Sequence, residues 1–461
     1  MTNVLAWIYV AMAAAGCGLW LILYLSPSRR ANFRCRLDPD EPDEEAHTGS
    51  GTADAANPAD SAPRPGESKL SNQPSVLPEP GDASQPQVAI ICPGRNEANW
   101  IRTTLPELCQ QDYGPVRVLY IDDHSDDETP AITTACMAEH DNLIVLRNEI
   151  EPPAGWVGKC WAIKRGVETL EAWESEHPDE PKAEWFCFTD ADIHWDPRCL
   201  RFAMAHASEY EADLVAMFPN MDFGTRVEKL GVLTMVLALG VVFPFKKAMD
   251  PEYEGTVTGG AFMLTRRSAY ESINGHHAVA NYVVEDINLG RKLKAAGARV
   301  RIALTRELMH CRMYEGFADM WEGLTKNAYA AMEYKLHYAA GLVAAAAVCN
   351  VLPPILLVVG IVWTMLAQPW AEGFNGDITT WLPAAGAALA AVTTLIHLRV
   401  MNAVRKFFRL HPVYAASLAP GSALYLLFVV ASVWRFYRGG NVWKGRSYGR
   451  NTVATPPTPP N

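Results

Sequence analysis

Apolar residues fall in three kinds of run along this chain. At the amino end, residues 4–25 are almost wholly apolar and uncharged, long enough to cross a bilayer. From Val88 to about Ala303, short β-rich runs alternate with stretches of helical spacing. VAIIC (88–92), VRVLYI (116–121), NLIVL (142–146), WFCFT (185–189) and LVAMF (214–218) predict buried strands. Glu97–Gln110 and Cys160–Leu170 predict helices among them. This alternation predicts an α/β domain with a mainly parallel sheet and helices on both faces. Towards the carboxyl end, residues 339–367, 378–398 and 414–434 predict three further spans. Residues 231–245 (GVLTMVLALGVVFPF) are apolar but only fifteen long, which suits an interfacial or a buried core helix better than a span.

Composition divides the chain further. Its 461 residues carry a formal net charge of -11, and residues 37–87 hold eleven of the acidic residues against Arg64 and Lys69. That stretch is rich in Pro, Ala, Asp, Glu, Ser and Gly and poor in large apolar residues, so it predicts a disordered linker. The remainder is near neutral, with no footprint for nucleic acid. Ten cysteines without C-x-x-C spacing read as buried or free thiols in a reducing compartment. The predicted order is an amino-terminal anchor (1–28), the linker (37–87), a catalytic domain (88–330), a transmembrane region (339–434) and a basic tail (435–461).

Charge also orients the spans. Arg29, Arg30, Arg34 and Arg36 follow the first apolar run rather than precede it, which predicts an uncleaved anchor whose carboxyl side is cytoplasmic. The connector 368–377 carries Glu372 and Asp377 without Lys or Arg and should face outward. The connector 399–412 carries Arg399, Arg405, Lys406 and Arg409 and should face the cytoplasm. The tail has Arg435, Arg438, Lys444, Arg446 and Arg450, so it too should be cytoplasmic. Three simple crossings would leave it outside. One segment therefore reads as re-entrant, and Pro353-Pro354 marks the first as a candidate.

Acidic pairs supply the chemistry. Asp122-Asp123 ends one predicted strand, and Asp190-Ala191-Asp192 follows another. Carboxylates at the carboxyl ends of strands in an α/β sheet lie where ligands bind. Asp192 is suited to hold a divalent ion beside a diphosphate, with Asp190 nearer a ribose. Gly158-Lys159 opens a helical run, where a lysine and free backbone N–H groups meet phosphate oxygens. Gly259-Gly260 allow close backbone approach to a ligand, or form a bulge at a strand start. Glu285-Asp286 open a helix read through Leu289 and Leu293. Acidic residues are favoured there by the helix dipole alone, yet Asp286 is also free to act as a base. Trp321 and the run GLTKNAYAAMEYK (323–335) precede the first carboxyl-terminal span and read as interface anchors or as a grip on the acceptor. His310, alone, supports little. The set implies metal-dependent transfer from a nucleotide sugar.

VAIICPGRNEA, YIDDHSDD, Gly158-Lys159, TDAD, TGGAFMLTRR and VVED, in this order over about residues 88–330, resemble the family 2 glycosyltransferases. The resemblance implies a GT-A-like nucleotide-binding domain, Mg²⁺ or Mn²⁺ and inversion at the anomeric carbon. It implies that Arg95, Glu97, Asp123, Lys159 and Asp190 bind the nucleotide sugar, that Asp192 holds the metal and that Asp286 is the base. Gly259, Gly260, Glu285 and Trp321 would support the acceptor side. GWVGKCWA, HCRMYEGF and NVWKGRSYG look like the hopanoid-associated branch. Ceramide and carotenoid glucosyltransferases are similar in plan and often carry Q-x-x-R-W before the membrane. Residues 315–326 read EGFADMWEGLTK instead, which argues against processive polymer synthesis. The resulting expectation is a multi-pass inner-membrane hexosyltransferase with its catalytic domain in the cytoplasm and a membrane-lipid hydroxyl as acceptor. Polyprenyl phosphate as acceptor, or a degenerate non-catalytic scaffold, are the alternatives.

Overall fold

The computed structural model of the chain describes residues 2–25, 77, 79–82, 84–242, 245–305, 307–332, 334–371, 378–438, 441–443 and 446–448. The expected linker up to residue 76, the arginines at 29–36, the connector residues 372–377 and the tail beyond residue 448 lie outside the described residues.

A first helix, α1 (Thr2–Leu25), precedes the α/β run. That run begins β1 (Val88–Gly94), α2 (Ala98–Cys109), β2 (Val116–Asp123), α3 (Thr129–Glu139), β3 (Leu143–Asn148), α4 (Gly158–Glu176) and β4 (Trp185–Phe188). It continues with β5 (His194–Trp195), α5 (Cys199–Glu209), β6 (Leu214–Phe218), β7 (Asn220–Met221), α6 (Arg226–Val242) and α7 (Phe245–Ala248). It ends with β8 (Met263–Arg266), α8 (Arg267–Ser272), α9 (Glu285–Ala295), β9 (Val300–Leu304), β10 (Met309–Cys311) and α10 (Gly316–Ala330).

Seven strands form the main sheet in the order β3-β2-β1-β4-β8-β6-β9, and only β8 runs against the others. Its central strands are apolar throughout because both faces are covered. Ile90, Val118 and Tyr120 share one core with Leu105 of α2 and Leu200 of α5. Ile91, Leu119 and Ile121 share the other with Ile163 of α4 and Leu289 of α9. The chain winds outward from β1 to β3, then returns to place β4 on the other side of β1. That reversal opens a crevice at the carboxyl ends of β1 and β4, where an open α/β sheet binds its ligand. A small sheet, β5-β10-β7, escaped the sequence pattern because its strands are only two or three residues long.

Among the described residues, four helices are long and apolar enough to cross a membrane: Val4–Leu23, Leu336–Ala367, Thr379–Phe407 and Leu418–Arg438. The second comprises α11 (Leu336–Ala346), a π turn at Ala347–Val351 and α12 (Leu352–Ala367). The others contain α13 (Leu382–Phe407) and α14 (Leu418–Arg438). Pro353-Pro354 leaves the second helix continuous. Pro353 has no N–H for the Cys349 carbonyl, and the helix widens so that the Leu352 N–H reaches the Ala347 carbonyl. The Trp20 indole N–H of α1 then donates to the Cys349 carbonyl at 3.1 Å.

Two boundaries differ from expectation. Charge places a connector at 399–412, but α13 stays helical to Phe407, because charge marks where a helix leaves lipid and not where it ends. The expected fifteen-residue helix is α6, which begins earlier, at Arg226. Its Leu233 and Leu237 are buried in one cluster with Trp20, Val400 and Leu418, so it forms the floor between the α/β domain and the apolar helices.

Candidate active site

Four charged side chains interlock where α4 and α9 begin. The Lys159 Nζ lies 2.5 Å from Asp190 Oδ1 and 2.7 Å from Glu285 Oε1. Burial works against the Lys159 charge, but Asp190, Glu285 and Asp286 outweigh it and raise its pKa well above the ordinary value. Lys159 is therefore a fixed cation. Beside it, the Asp286 carboxylate accepts the Gly260 N–H at 2.8 Å and the Ile287 N–H at 2.7 Å. Thr258 Oγ1 donates to the Asp286 carbonyl at 2.7 Å, which ties the start of α9 to the glycine loop. Burial and the Glu285 charge push the Asp286 carboxyl up to about 7, against the pull of Lys159 and the Ile287 N–H. A carboxylate in that range is matched to proton transfer near neutral pH.

Glycine at 260 makes room for this arrangement. A Cβ there would stand 2.8 Å from Lys159 Nζ and 3.0 Å from Asp190 Oδ2, and Lys159 could retreat only by giving up its ion pairs. The Gly259-Gly260 pair is thus a close approach of backbone to the charged cluster, and the strand β8 starts only at Met263.

The acidic pair at the end of β2 divides its work. Asp122 accepts the Ser125 N–H at 3.1 Å and pairs with Arg147 at 3.0 Å, so it holds the turn. Asp123 faces the crevice, and Asn148 donates to its Oδ1 at 2.9 Å. His124, at φ 61°, turns the chain between Asp123 and Ser125. Asp190 and Asp192 follow β4. Their loop is held by Thr104, which donates to the Ala191 carbonyl at 2.7 Å, and by Thr189, which donates to the Ala261 carbonyl at 2.8 Å.

Among the described residues, no group of three His, Cys, Asp or Glu side chains is set to hold a metal ion. Two neighbouring carboxylates are nevertheless the donor set a Mg²⁺ or Mn²⁺ ion needs when substrate phosphates supply further oxygens. Asp190 and Asp192 fit such an ion on that ground.

The charged cluster, Asp123, the Asp190–Asp192 loop and the glycine pair open into one cavity of about 1470 Å³. Arg95, Glu97, Asp123, Lys159, Asp190, Asp192, Gly259, Gly260, Glu285 and Asp286 line it, so the structure brings together ten of the residues singled out in the sequence. Lys326 and Lys335, from the run after Trp321, line it too. Trp321 itself does not. Its ring packs between Phe317 and Phe428, with centroids 5.7 and 5.5 Å away, because the face of α10 that carries it turns to α14. His310 also lies apart, within β10, stacked on His194 at 4.7 Å and paired with Asp222 at 2.8 Å.

Apolar side chains line the cavity as well. Met235 and Leu239 of α6, Val404 and Phe407 of α13, Phe408 just after it and Tyr425 of α14 line it. Sequence reasoning missed these residues, as well as Arg147, Asn148 and Arg291. Arg291 shares α9 with Glu285 and Asp286, and the others are ordinary for their own segments and join the site through long-range packing. The nearest signal was that α6 is too short to span yet too apolar to be exposed.

Comparison with protein families matches residues 86–331 to the family described as "Glycosyltransferase like family 2". None of the curated proteins matches the chain. Among solved structures, the chain is similar to TarS of S. aureus at 16% identity and a TM-score of 0.35, covering 52% of this chain. It spans 38% of the length of that TarS chain. It is also similar to the mannosyltransferase PcManGT from Pyrobaculum calidifontis, solved in complex with GDP-Man and Mn²⁺. There the identity is 16% and the TM-score 0.40, over 94% of this chain and 98% of that one. A TarS fragment, residues 1–349 with UDP-GlcNAc, is similar at 14% identity and a TM-score of 0.37, over 76% of this chain and 91% of that one. With the family match covering more than half of its length, and a GT-A-like sheet beneath the matched motifs, the chain belongs to the family 2-like glycosyltransferases.

Proposed function

We propose that this protein transfers a hexose from a nucleoside-diphosphate sugar to the hydroxyl of a membrane lipid, with inversion at the anomeric carbon. The observation that carries the reading is the continuity of the cavity. Lys159, Asp190, Asp192 and Asp286 line it together with apolar side chains of α6, α13 and α14. A water-soluble donor and a lipid acceptor need such unlike surroundings within one space.

In this reading Asp123 and Arg95 meet the nucleobase, Asp190 the ribose, and Lys159 the diphosphate. Asp192, with Asp190, would hold Mg²⁺ or Mn²⁺. When bound, such an ion supplies positive charge against the charge that develops on the leaving diphosphate. Asp286 takes the proton from the acceptor hydroxyl as its oxygen attacks the anomeric carbon. The two N–H donors at Asp286 orient its carboxylate, and Glu285 keeps Lys159 in place beside it.

The base favours a neutral hydroxyl over an ionised lipid phosphate as acceptor. A carboxyl held at about 7 is tuned to remove a proton, and an ionised phosphate has none to give up at the attacking oxygen. Glu285 and Asp286, side by side at the reacting centre, would also repel it. The motifs shared with the hopanoid-associated branch support a hopanoid-related lipid. Donor supply and the arginines that follow α1 support a catalytic domain on the cytoplasmic face of the cell membrane.

Purified protein incubated with UDP- and GDP-sugars and total membrane lipid, read by mass spectrometry, tests the proposal. A neutral lipid heavier by one hexose, absent with Asp286→Asn, is the expected product. Transfer to a lipid phosphate alone, or no lipid product from any donor, would overturn it.

A further inference from the structure

We infer that α14, the last of the four apolar helices, does not cross the bilayer: it is re-entrant, and both of its ends lie on the side of the catalytic domain. A helix of 21 residues is about 31 Å long, the thickness of a hydrocarbon core. A crossing would carry one end that far from the domain. Contacts at both ends and along the middle show otherwise.

At its start, Gly421 lies so close to the Leu230 carbonyl and Thr234 of α6 that a side chain has no room. Ser422 Oγ accepts from Asn350 at 3.1 Å, and Leu418 packs in one cluster with Trp20, Cys349 and Leu233 of α6, so this end is buried against the helix that floors the α/β domain. From there α14 runs beside α10 in the same direction. Phe428 packs on Trp321 and Met320. The Ser432 hydroxyl accepts the Tyr329 N–H at 3.1 Å, and Arg435 donates to Thr325 at 3.1 Å. At the far end Phe436 stacks on Tyr334 with centroids 4.7 Å apart. The short strand Asn441–Trp443 then lies along α10 again.

α10 itself belongs to the catalytic domain. Its Gly316 N–H donates to Glu228 at 2.7 Å, and it carries Asp319, Glu322 and Lys326, too polar for a lipid core. A helix held by α6 at its start and by α10 from Phe428 to its end stays on that side. Its outer face presents Leu427, Val430, Trp434 and Tyr437 at helical spacing, each more than half exposed, and this stripe adds to the exposed apolar residues of α12 and α13. Lipid is the partner that fits all three.

The assignment also removes the conflict of charges. With α1, α11–α12 and α13 crossing and α14 returning, the basic residues at the end of α13 and those of the tail share one side with the active site, as the positive-inside rule requires. Because Tyr425 of α14 lines the cavity, the wall of the acceptor end is a helix open to the leaflet on the catalytic side. That consequence alone rests on the lipid-acceptor reading.

Cysteines introduced one at a time at Asp179, Ala367 and Ser447, probed with a membrane-impermeant maleimide in sealed right-side-out and inverted vesicles and read against the parent, test the topology without any turnover. Asp179→Cys on the catalytic domain and Ser447→Cys should label from the same face, and Ala367→Cys at the end of α12 from the other. An epitope tag after Asn461 gives a second reading, and protease should remove it only from the face that labels Asp179→Cys. Labelling of Ser447→Cys, or removal of the tag, from the face opposite Asp179→Cys would overturn the inference, whatever the enzyme's acceptor proves to be.

Discussion

The Asp286 Oδ2 atom accepts the Gly260 N–H at 2.8 Å, so the carboxylate proposed as base is aimed by a backbone group that lies against the charged cluster itself. The change Asp286→Asn keeps the shape and one of the two acceptor oxygens but removes the basicity. It should therefore lower turnover about 10²–10⁴-fold while leaving donor affinity nearly unchanged. Steady-state kinetics with a neutral lipid acceptor, together with donor titration by calorimetry, checks both halves. Near-normal turnover would leave Asp286 as a helix-start acid only.

The pH profile should carry the same signature. Burial and Glu285 hold the free Asp286 carboxyl at about 7, so it is protonated below that value and unable to accept a proton. Activity at limiting donor should rise with pH through about 7 rather than through the ordinary carboxylate range. The apparent value belongs to Asp286 together with Glu285 and Lys159, and Lys159→Met should move it further up by removing the nearby cation. A profile flat between about pH 5 and 8 would contradict this assignment.

Removal of divalent ions should stop transfer. Asp192→Asn and EDTA on the parent protein should each cut turnover by at least about 10²-fold, several kcal/mol of stabilisation of the leaving group. Restoration by Mn²⁺ or Mg²⁺ is expected for the parent and not for the variant. Full turnover in EDTA would show that Lys159 alone offsets the charge.

Glu228 holds the floor of the site to its wall. Burial works against its charge, but Arg312, Thr225 and the N–H groups of Gly224 and Gly316 outweigh it and hold its pKa at about 2. A carboxyl whose pKa is lowered on folding stabilises the protein above its unfolded value and loses that stabilisation as pH falls towards the folded one. Glu228→Gln should cost about 2–4 kcal/mol near neutral pH. The difference from the parent should shrink as pH falls from 4.5 towards about 2. Thermal unfolding in detergent across that range measures it.

The anchor α1 is part of the bundle rather than a tether. Trp20→Phe keeps an aromatic ring but removes the donor to the Cys349 carbonyl, and should cost about 1 kcal/mol of thermal stability in detergent. Trp20→Ala should cost more, since the ring also packs edge-on against His397 at 5.0 Å. If both variants unfold with the parent, the contact contributes nothing.

By itself the sequence determined the α/β domain, five of the six parallel strands of its main sheet and the helices beginning at Gly158 and Glu285. Those elements are written in local periodicity, and their ends in glycine and acidic residues, so neighbours along the chain suffice to specify them. It also determined which charged residues gather in the crevice, because carboxyl ends of parallel strands converge wherever such a sheet forms.

Tertiary structure decided what each group does there. Asp122 and Asp123 are adjacent and chemically alike, yet Arg147 from β3 claims the first while the second faces the cavity. Trp321 and Phe408 are both aromatics beside apolar helices, and only packing sends one into a helix contact and the other into the lining of the cavity. Hydropathy likewise gives α14 the length and composition of a span, since it measures apolar content and not direction. Whether such a helix crosses depends on where its ends are held, and Gly421, Ser432 and Phe436 are held by residues from distant parts of the chain, beyond the reach of any local pattern.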